Sequence, residues 1–227
     1  MVWQAGIAGI AYDAKIAGRK LESVNDLFDP KFKGKVTMLT ELRDTVGLTM
    51  MGLGFDITHP KPDEVNQALD KIDKARHDGQ VLRFTGNDYL QDLSRGEVAA
   101  CVAWSGDIYS LDTDRDIRFI VPEEGGTRWF DTMVVPNGAQ HPDDAAAWMN
   151  FVYEPENAAR ITEWVGYISP VKGVREVLDK AGGDSRAVAE DPLVFPDDAT
   201  QKRLQVFGNL TQKDELQIQA RFNDITG

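Results

Sequence analysis

Two short stretches, Trp104-Ser-Gly-Asp107 and Trp129-Phe-Asp131, set an indole beside a carboxylate. An indole face attracts a cation through its quadrupole, and an ionised aspartate supplies the opposite charge. Two such pairs, both at the ends of predicted strands, imply a pocket for a small organic cation carrying an amine at each end. The structural alternative puts both Trp in the core and makes both Asp helix caps or turn formers. Little catalytic chemistry competes with these pairs. The sequence has no G-x-S-x-G elbow, P-loop or G-x-G-x-x-G dinucleotide loop, and Gly6-Ile-Ala-Gly9 is too sparse to cradle a phosphate. His59, His77 and His141 fall in predicted loops or helix ends without Cys or carboxylate at ligand spacing, so neither a metal nor a cofactor is expected. Glu123-Glu124 before Gly125-Gly126 could seat paired carboxylates, but a solvated turn is the stronger reading. An enzyme with an unrecognised site is the alternative from a different class.

The elements that must position these residues belong to a chain of 227 residues with a formal net charge of −12. That length is one large domain or two lobes. The charge disfavours nucleic acid and anionic membrane surfaces and mildly favours a cationic ligand. Cys101 is the single cysteine, set in the apolar run Val98-Ala-Ala-Cys-Val-Ala103, and reads as a small hydrophobe in a buried strand. No basic n-region and no long apolar run occur near Met1, so neither a signal peptide nor a membrane span is expected within the sequence.

Strands and helices alternate along the chain. Strands are predicted at Ile7–Tyr12, Lys35–Leu39, Val81–Phe84, Val98–Trp104, Ile117–Val121 and Met133–Val135. Helices are predicted from Arg43 to Leu53, from Asp63 to about Arg76, up to Arg95 with Asn87 or Asp88 as cap, and as a short piece near Ile108. After Asp131 helices dominate. They start at Pro142 and Pro155 and recur at Gly173–Ala181, Thr200–Val206 and Gln212–Ile225. Gly182-Gly183 and Glu190–Asp198 read as linkers. The pattern is that of an α/β sheet covered by helices on both faces.

The order of several segments then carries a resemblance. Leu27-Phe-Asp-Pro-Lys-Phe-Lys-Gly-Lys-Val36, Leu53-Gly-Phe55, Gly96-Glu-Val98, Trp104-Ser-Gly-Asp107, Pro122-Glu-Glu-Gly-Gly126, Trp129-Phe-Asp131 and Gly166-Tyr-Ile-Ser-Pro170 follow one another across nearly the whole chain. As a set they resemble the polyamine (spermidine/putrescine) substrate-binding proteins of bacterial ABC importers. The resemblance implies a type II periplasmic-binding-protein-like α/β fold, with two lobes that close on a ligand. It implies capture of putrescine or spermidine and delivery to an ABC transporter permease, with no catalysis. It implies a periplasmic or extracellular, membrane-associated location. Trp104 and Trp129 match aromatic walls, Asp107 and Asp131 match carboxylates for amines, and Tyr167 matches a cleft tyrosine. Glu41 and Asp44 match two acidic positions of a loop-to-helix turn, where helix capping is the competing reading. Phe207 stands where relatives can supply a polar side chain, which leaves the choice of polyamine open.

The resemblance also implies a missing piece. Full-length members begin with much of the first lobe, whereas this chain starts near the first hinge strand, at Trp3-Gln-Ala-Gly-Ile7. The expected organisation is one complete lobe, residues 1–128 and 182–227, and a partial second lobe, residues 129–181, which is the returning portion of the first lobe. Its uncovered edges and apolar face imply self-association or strand exchange.

Overall fold

The computed structural model describes residues 1–227. Its centre is β1 (Val2–Asp13), a 12-residue strand buried from Ala5 onward, where the residues are Ala, Gly, Ile and Tyr up to the closing Asp13. Small residues let neighbours approach closely from both sides. One edge of β1 pairs antiparallel with β4 (Ala100–Trp104), and Ala8 lies opposite Trp104. The other edge pairs antiparallel with β5 (Ile117–Ile120) near its C-terminal end and with β6 (Gly126–Thr132) along its N-terminal half. Beyond β4 the sheet continues in parallel through β2 (Val36–Leu39) to β3 (Val81–Thr85). Beyond β6 it ends with the two-residue β7 (Leu204–Gln205).

The helices follow the apolar periodicity. Early ones are α1 (Ala14–Ala17), α2 (Leu42–Gly52), α3 (Pro62–His77), α4 (Tyr89–Arg95) and α5 (Ser105–Tyr109). Later ones are α6 (Pro142–Val152), α7 (Pro155–Val165), α8 (Val174–Ala181), α9 (Gly183–Glu190), α10 (Asp198–Lys202) and α11 (Gln212–Thr226). Val65, Leu69 and Ile72 of α3, with Val46, Leu48 and Met50 of α2, are fully buried against the sheet. They belong to a core of 36 buried residues that also takes in Cys101 and, from α11, Phe222. Burial pushes the Cys101 thiol well above the ordinary range for a thiol. A second, smaller cluster joins Ala158 and Ala159 of α7 with Val174 and Leu178 of α8. It extends past residue 182 to Val188, Ala189 and Val194, so α9 packs with the α7–α8 pair.

Three elements differ from the sequence-based expectation. The strand expected at Met133–Val135 lies earlier, as β6. Its pairing with β1 closes with the Met133 N–H donated to the Met1 carbonyl, and Val134 is exposed beyond it. The helix expected over Thr200–Val206 gives way after Lys202, because Leu204 and Gln205 pair with Gly126 and Thr127. Gly182-Gly183, expected as a linker, is the start of α9, with Gly182 at its cap and Gly183 its first residue. Both residues have positive φ, 72° and 56°, which side chains with a Cβ seldom adopt. Glu124 is more than a solvated turn residue, since its carboxylate accepts the Val24 N–H at 3.1 Å and the Ser23 hydroxyl.

Candidate functional site

Glu41, Asp44, Trp104, Asp107, Trp129, Asp131 and Tyr167 all line one cavity of about 760 Å³. The elements that deliver them are far apart in sequence. Glu41 and Asp44 stand at the N-terminal end of α2, Trp104 and Asp107 at the β4–α5 junction, and Trp129 and Asp131 on β6. Tyr167 comes from the segment after α7, which is tied to β1 by paired hydrogen bonds between Ala5 and Ile168, both 2.9 Å.

Two glycines make room for the aromatic walls. Gly6 lies opposite Trp129 in the β1–β6 ladder, and a Cβ there would sit 2.1 Å from the indole ring. A Cβ on Gly106 would sit 2.6 Å from the Tyr167 ring. Each ring therefore rests directly on backbone. The two rings meet edge to face, with centroids 5.2 Å apart and planes at 63°. The Trp129 Nε1–H is buried with no acceptor.

Trp104 is held differently. Its indole Nε1–H donates to Asp44 Oδ2 at 2.7 Å, and its backbone N–H donates to the Tyr89 hydroxyl at 3.0 Å. The Tyr89 ring meets the indole edge-on at 6.3 Å. Asp44 is 3 % exposed and accepts a second hydrogen bond from Thr127 Oγ1 at 2.5 Å. Burial pushes its carboxyl up to about 6, against the lowering effect of its two donors, and Glu41 adds to the rise.

Asp107 is the most heavily bonded carboxylate of the site. Oδ2 accepts from Asn87 Nδ2 at 2.6 Å and from the Tyr89 hydroxyl at 2.7 Å, and Oδ1 accepts from the Tyr167 hydroxyl at 2.7 Å. Burial, reinforced by Asp107, holds both tyrosine hydroxyls far above their ordinary titration range, so they donate as neutral groups. Of the two cap residues expected for α4, Asn87 or Asp88, the Asn87 amide instead serves Asp107. Asp88 occupies the cap position with no side-chain cap bond.

Asp131 and Glu41 are the open carboxylates. Asp131 is exposed and accepts one long bond from Gln4 Nε2 at 3.4 Å. Glu41 is exposed and caps α2 through the Arg43 N–H at 3.3 Å. Arg43 is itself paired with Glu215. Arg128 also lines the cavity, and its Nε is buried without an acceptor. Sequence reading missed Asn87, Tyr89, Thr127, Gln4 and Arg128 as parts of this site. The hydrogen bonds of Gln4, Asn87, Tyr89 and Thr127 to Asp131, Asp107, Trp104 and Asp44 span from 15 to 127 residues, and the Arg128 side chain makes none.

Comparison with known proteins places this geometry in context. Residues 1–196 match the family model described as bacterial extracellular solute-binding protein. The spermidine/putrescine-binding periplasmic protein of Escherichia coli K12 is 26 % identical over 202 residues, which cover 88 % of this chain and 56 % of that protein. The putrescine-binding periplasmic protein SpuD of Pseudomonas aeruginosa is 26 % identical over 170 residues, 72 % of this chain and 44 % of that protein. The chain thus spans about half the length of these relatives. Among solved structures, the spermidine/putrescine ABC transporter substrate-binding protein PotD of Streptococcus pneumoniae superposes with a TM-score of 0.79 at 26 % identity. That match covers 99 % of this chain and 68 % of the other. The fold is accordingly that of the periplasmic-binding-protein-like ABC substrate-binding proteins.

Proposed function

Because this chain belongs to the bacterial extracellular solute-binding protein family, we propose that its cleft captures a linear polyamine, putrescine or spermidine, and delivers it to an ABC importer. The role is binding and transfer rather than catalysis. The observation that carries the proposal is the Trp129–Tyr167 pair in one cavity with two open carboxylates, Asp131 and Glu41. An ammonium group moved out of water without a partner costs several kcal/mol, so a carboxylate must meet each end of the ligand. The methylenes between them are favourably buried on aromatic faces, at roughly 0.8 kcal/mol per CH₂. Asp107 can add a third acceptor on the Tyr167 side of the cleft, because a carboxylate offers about four lone-pair sites and three are in use.

The named relatives are periplasmic proteins, and we place this protein likewise outside the cytoplasmic membrane, in contact with a permease. No helix is long and apolar enough to cross a membrane. Trp148, Phe151 and Trp164 are exposed on α6 and α7, and self-association through these aromatic side chains belongs to the same proposal.

A second reading is favoured by Arg128. Arg128 lines the same cavity and its Nε has no acceptor, so a ligand that carries a carboxylate as well as an amine is the alternative. Calorimetric titration with putrescine, cadaverine, spermidine, spermine and γ-aminobutyrate tests both. The polyamine proposal expects heat from at least one amine and none from the amino acid. Binding of γ-aminobutyrate alone would reverse the assignment.

A further inference from the structure

We infer that Asp44 is a positioning residue, which fixes the Trp104 indole as a wall of the cleft and takes no ammonium group of the ligand. The inference deepens the polyamine reading and rests on it. Family resemblance alone puts Asp44 among the ligand carboxylates, but its surroundings assign it other work. Its side chain is nearly sealed from solvent, and each oxygen already accepts a hydrogen bond from a neutral donor. Turning the carboxylate toward a ligand would strand an indole N–H and a hydroxyl in a buried place, which is costly for both.

The three partners come from three elements. Asp44 is on α2, Trp104 ends β4 and Thr127 lies on β6. One carboxylate therefore ties the Trp104 wall to the strand that carries Trp129 and Asp131. Without it, the indole keeps the edge contact of Tyr89 but has no partner for its N–H. Asp131 and Glu41, each with a single long hydrogen bond, have lone pairs to spare for a cation. The charged groups that share the cleft with Asp44 are Glu41 and Arg43 on its own helix, Arg128 and Asp131 on β6, and Asp107 on α5.

A double-mutant cycle decides between support and anchor. Asp44→Asn, Trp104→Phe and the double variant are titrated with putrescine and with butylamine, which lacks the second ammonium. A positioning role predicts that Asp44→Asn weakens both amines by the same factor, about tenfold for one charge-assisted hydrogen bond. It also predicts that the double variant binds no more weakly than Trp104→Phe, because phenylalanine has no N–H to orient. A tenfold loss for putrescine with none for butylamine, or multiplying losses in the double variant, overturns the inference. A ligand-free arm follows the Trp104 indole N–H resonance of ¹⁵N-labelled protein between pH 4.5 and 7.5. Its position should titrate with a midpoint near 6 in the wild type and stay flat in Asp44→Asn. A wild-type resonance that coincides with that of Asp44→Asn at every pH also overturns the inference. If the resonance titrates but no amine binds the wild type, the polyamine reading fails while the Asp44–Trp104 support stands.

Discussion

Asp131 is exposed and weakly partnered, so an incoming ammonium finds its lone pairs free. Neutralising it leaves that ammonium desolvated and unpaired. Asp131→Asn should therefore weaken putrescine binding by at least tenfold, about 1.4 kcal/mol. Asp179→Asn, at an exposed ion pair with Arg186, should leave binding unchanged. Equal affinities for the two variants would remove Asp131 from the site. Asp44 makes a prediction about stability instead. Its folded carboxyl is held at about 6, above its usual value of 3.8. Between those values the folded state binds more protons than the unfolded one, so stability falls as pH rises through that window. At about 1.4 kcal/mol per pH unit, the loss approaches 3 kcal/mol by pH 7. Urea unfolding of wild type against Asp44→Asn should show the wild type losing ground from pH 4 to 7 by that order. A constant difference across the range would mean that the carboxyl is not held up by burial.

Placement of the aromatic walls depends on how closely whole elements approach. The segment carrying Tyr167 packs on α5 because Gly106 offers bare backbone, and Trp129 packs on β1 because Gly6 does. Gly106→Ala keeps helical geometry but puts a methyl group inside the Tyr167 ring. The ring must move, and its hydroxyl loses Asp107. A stability loss of about 1–3 kcal/mol and weaker polyamine binding are expected together. Unchanged thermal unfolding and unchanged affinity would show that this close approach is dispensable. Packing of this kind explains what was legible in the sequence. The Trp104/Asp107 and Trp129/Asp131 pairs, the buried strand around Cys101 and the α2, α3 and α11 helices announce themselves by local spacing. The extension of β1 back to Val2 and the short β7 do not, because they exist through pairing with β6. The roles of Tyr89 and Asn87 were hidden for a related reason. A tyrosine and an asparagine at a helix start look like core and cap until the fold brings Asp107 to them. Asp44 was expected as a ligand carboxylate from its match alone, while Trp104 and Thr127 were not foreseen as its partners.

At the scale of the molecule, a net charge of −12 acts over a distance comparable to the Debye length, about 10 Å at 0.1 M salt. Stopped-flow association of putrescine should slow as ionic strength rises from low to physiological, while dissociation changes less. Salt-independent association would argue against steering by an acidic cleft. On α6 and α7, Trp164 is 87 % exposed and Trp148 58 % exposed, with Trp148 stacked on Phe151. Isolated apolar surface residues are ordinary, but aromatic surface of this extent favours contact with another surface. Light scattering should find species heavier than the 25.2 kDa monomer as concentration rises, and Trp164→Ser should reduce them. A strict monomer at all concentrations would show that this face needs no cover. The large core carries a different consequence through Cys101, the only thiol of the chain, with no accessible surface and a suppressed thiolate. Maleimide reagents should pass it by. Val206→Cys, at an exposed position on the cleft rim, would then be the one attachment point for an environment-sensitive dye, and the protein becomes an optical reporter for its own ligand after one substitution.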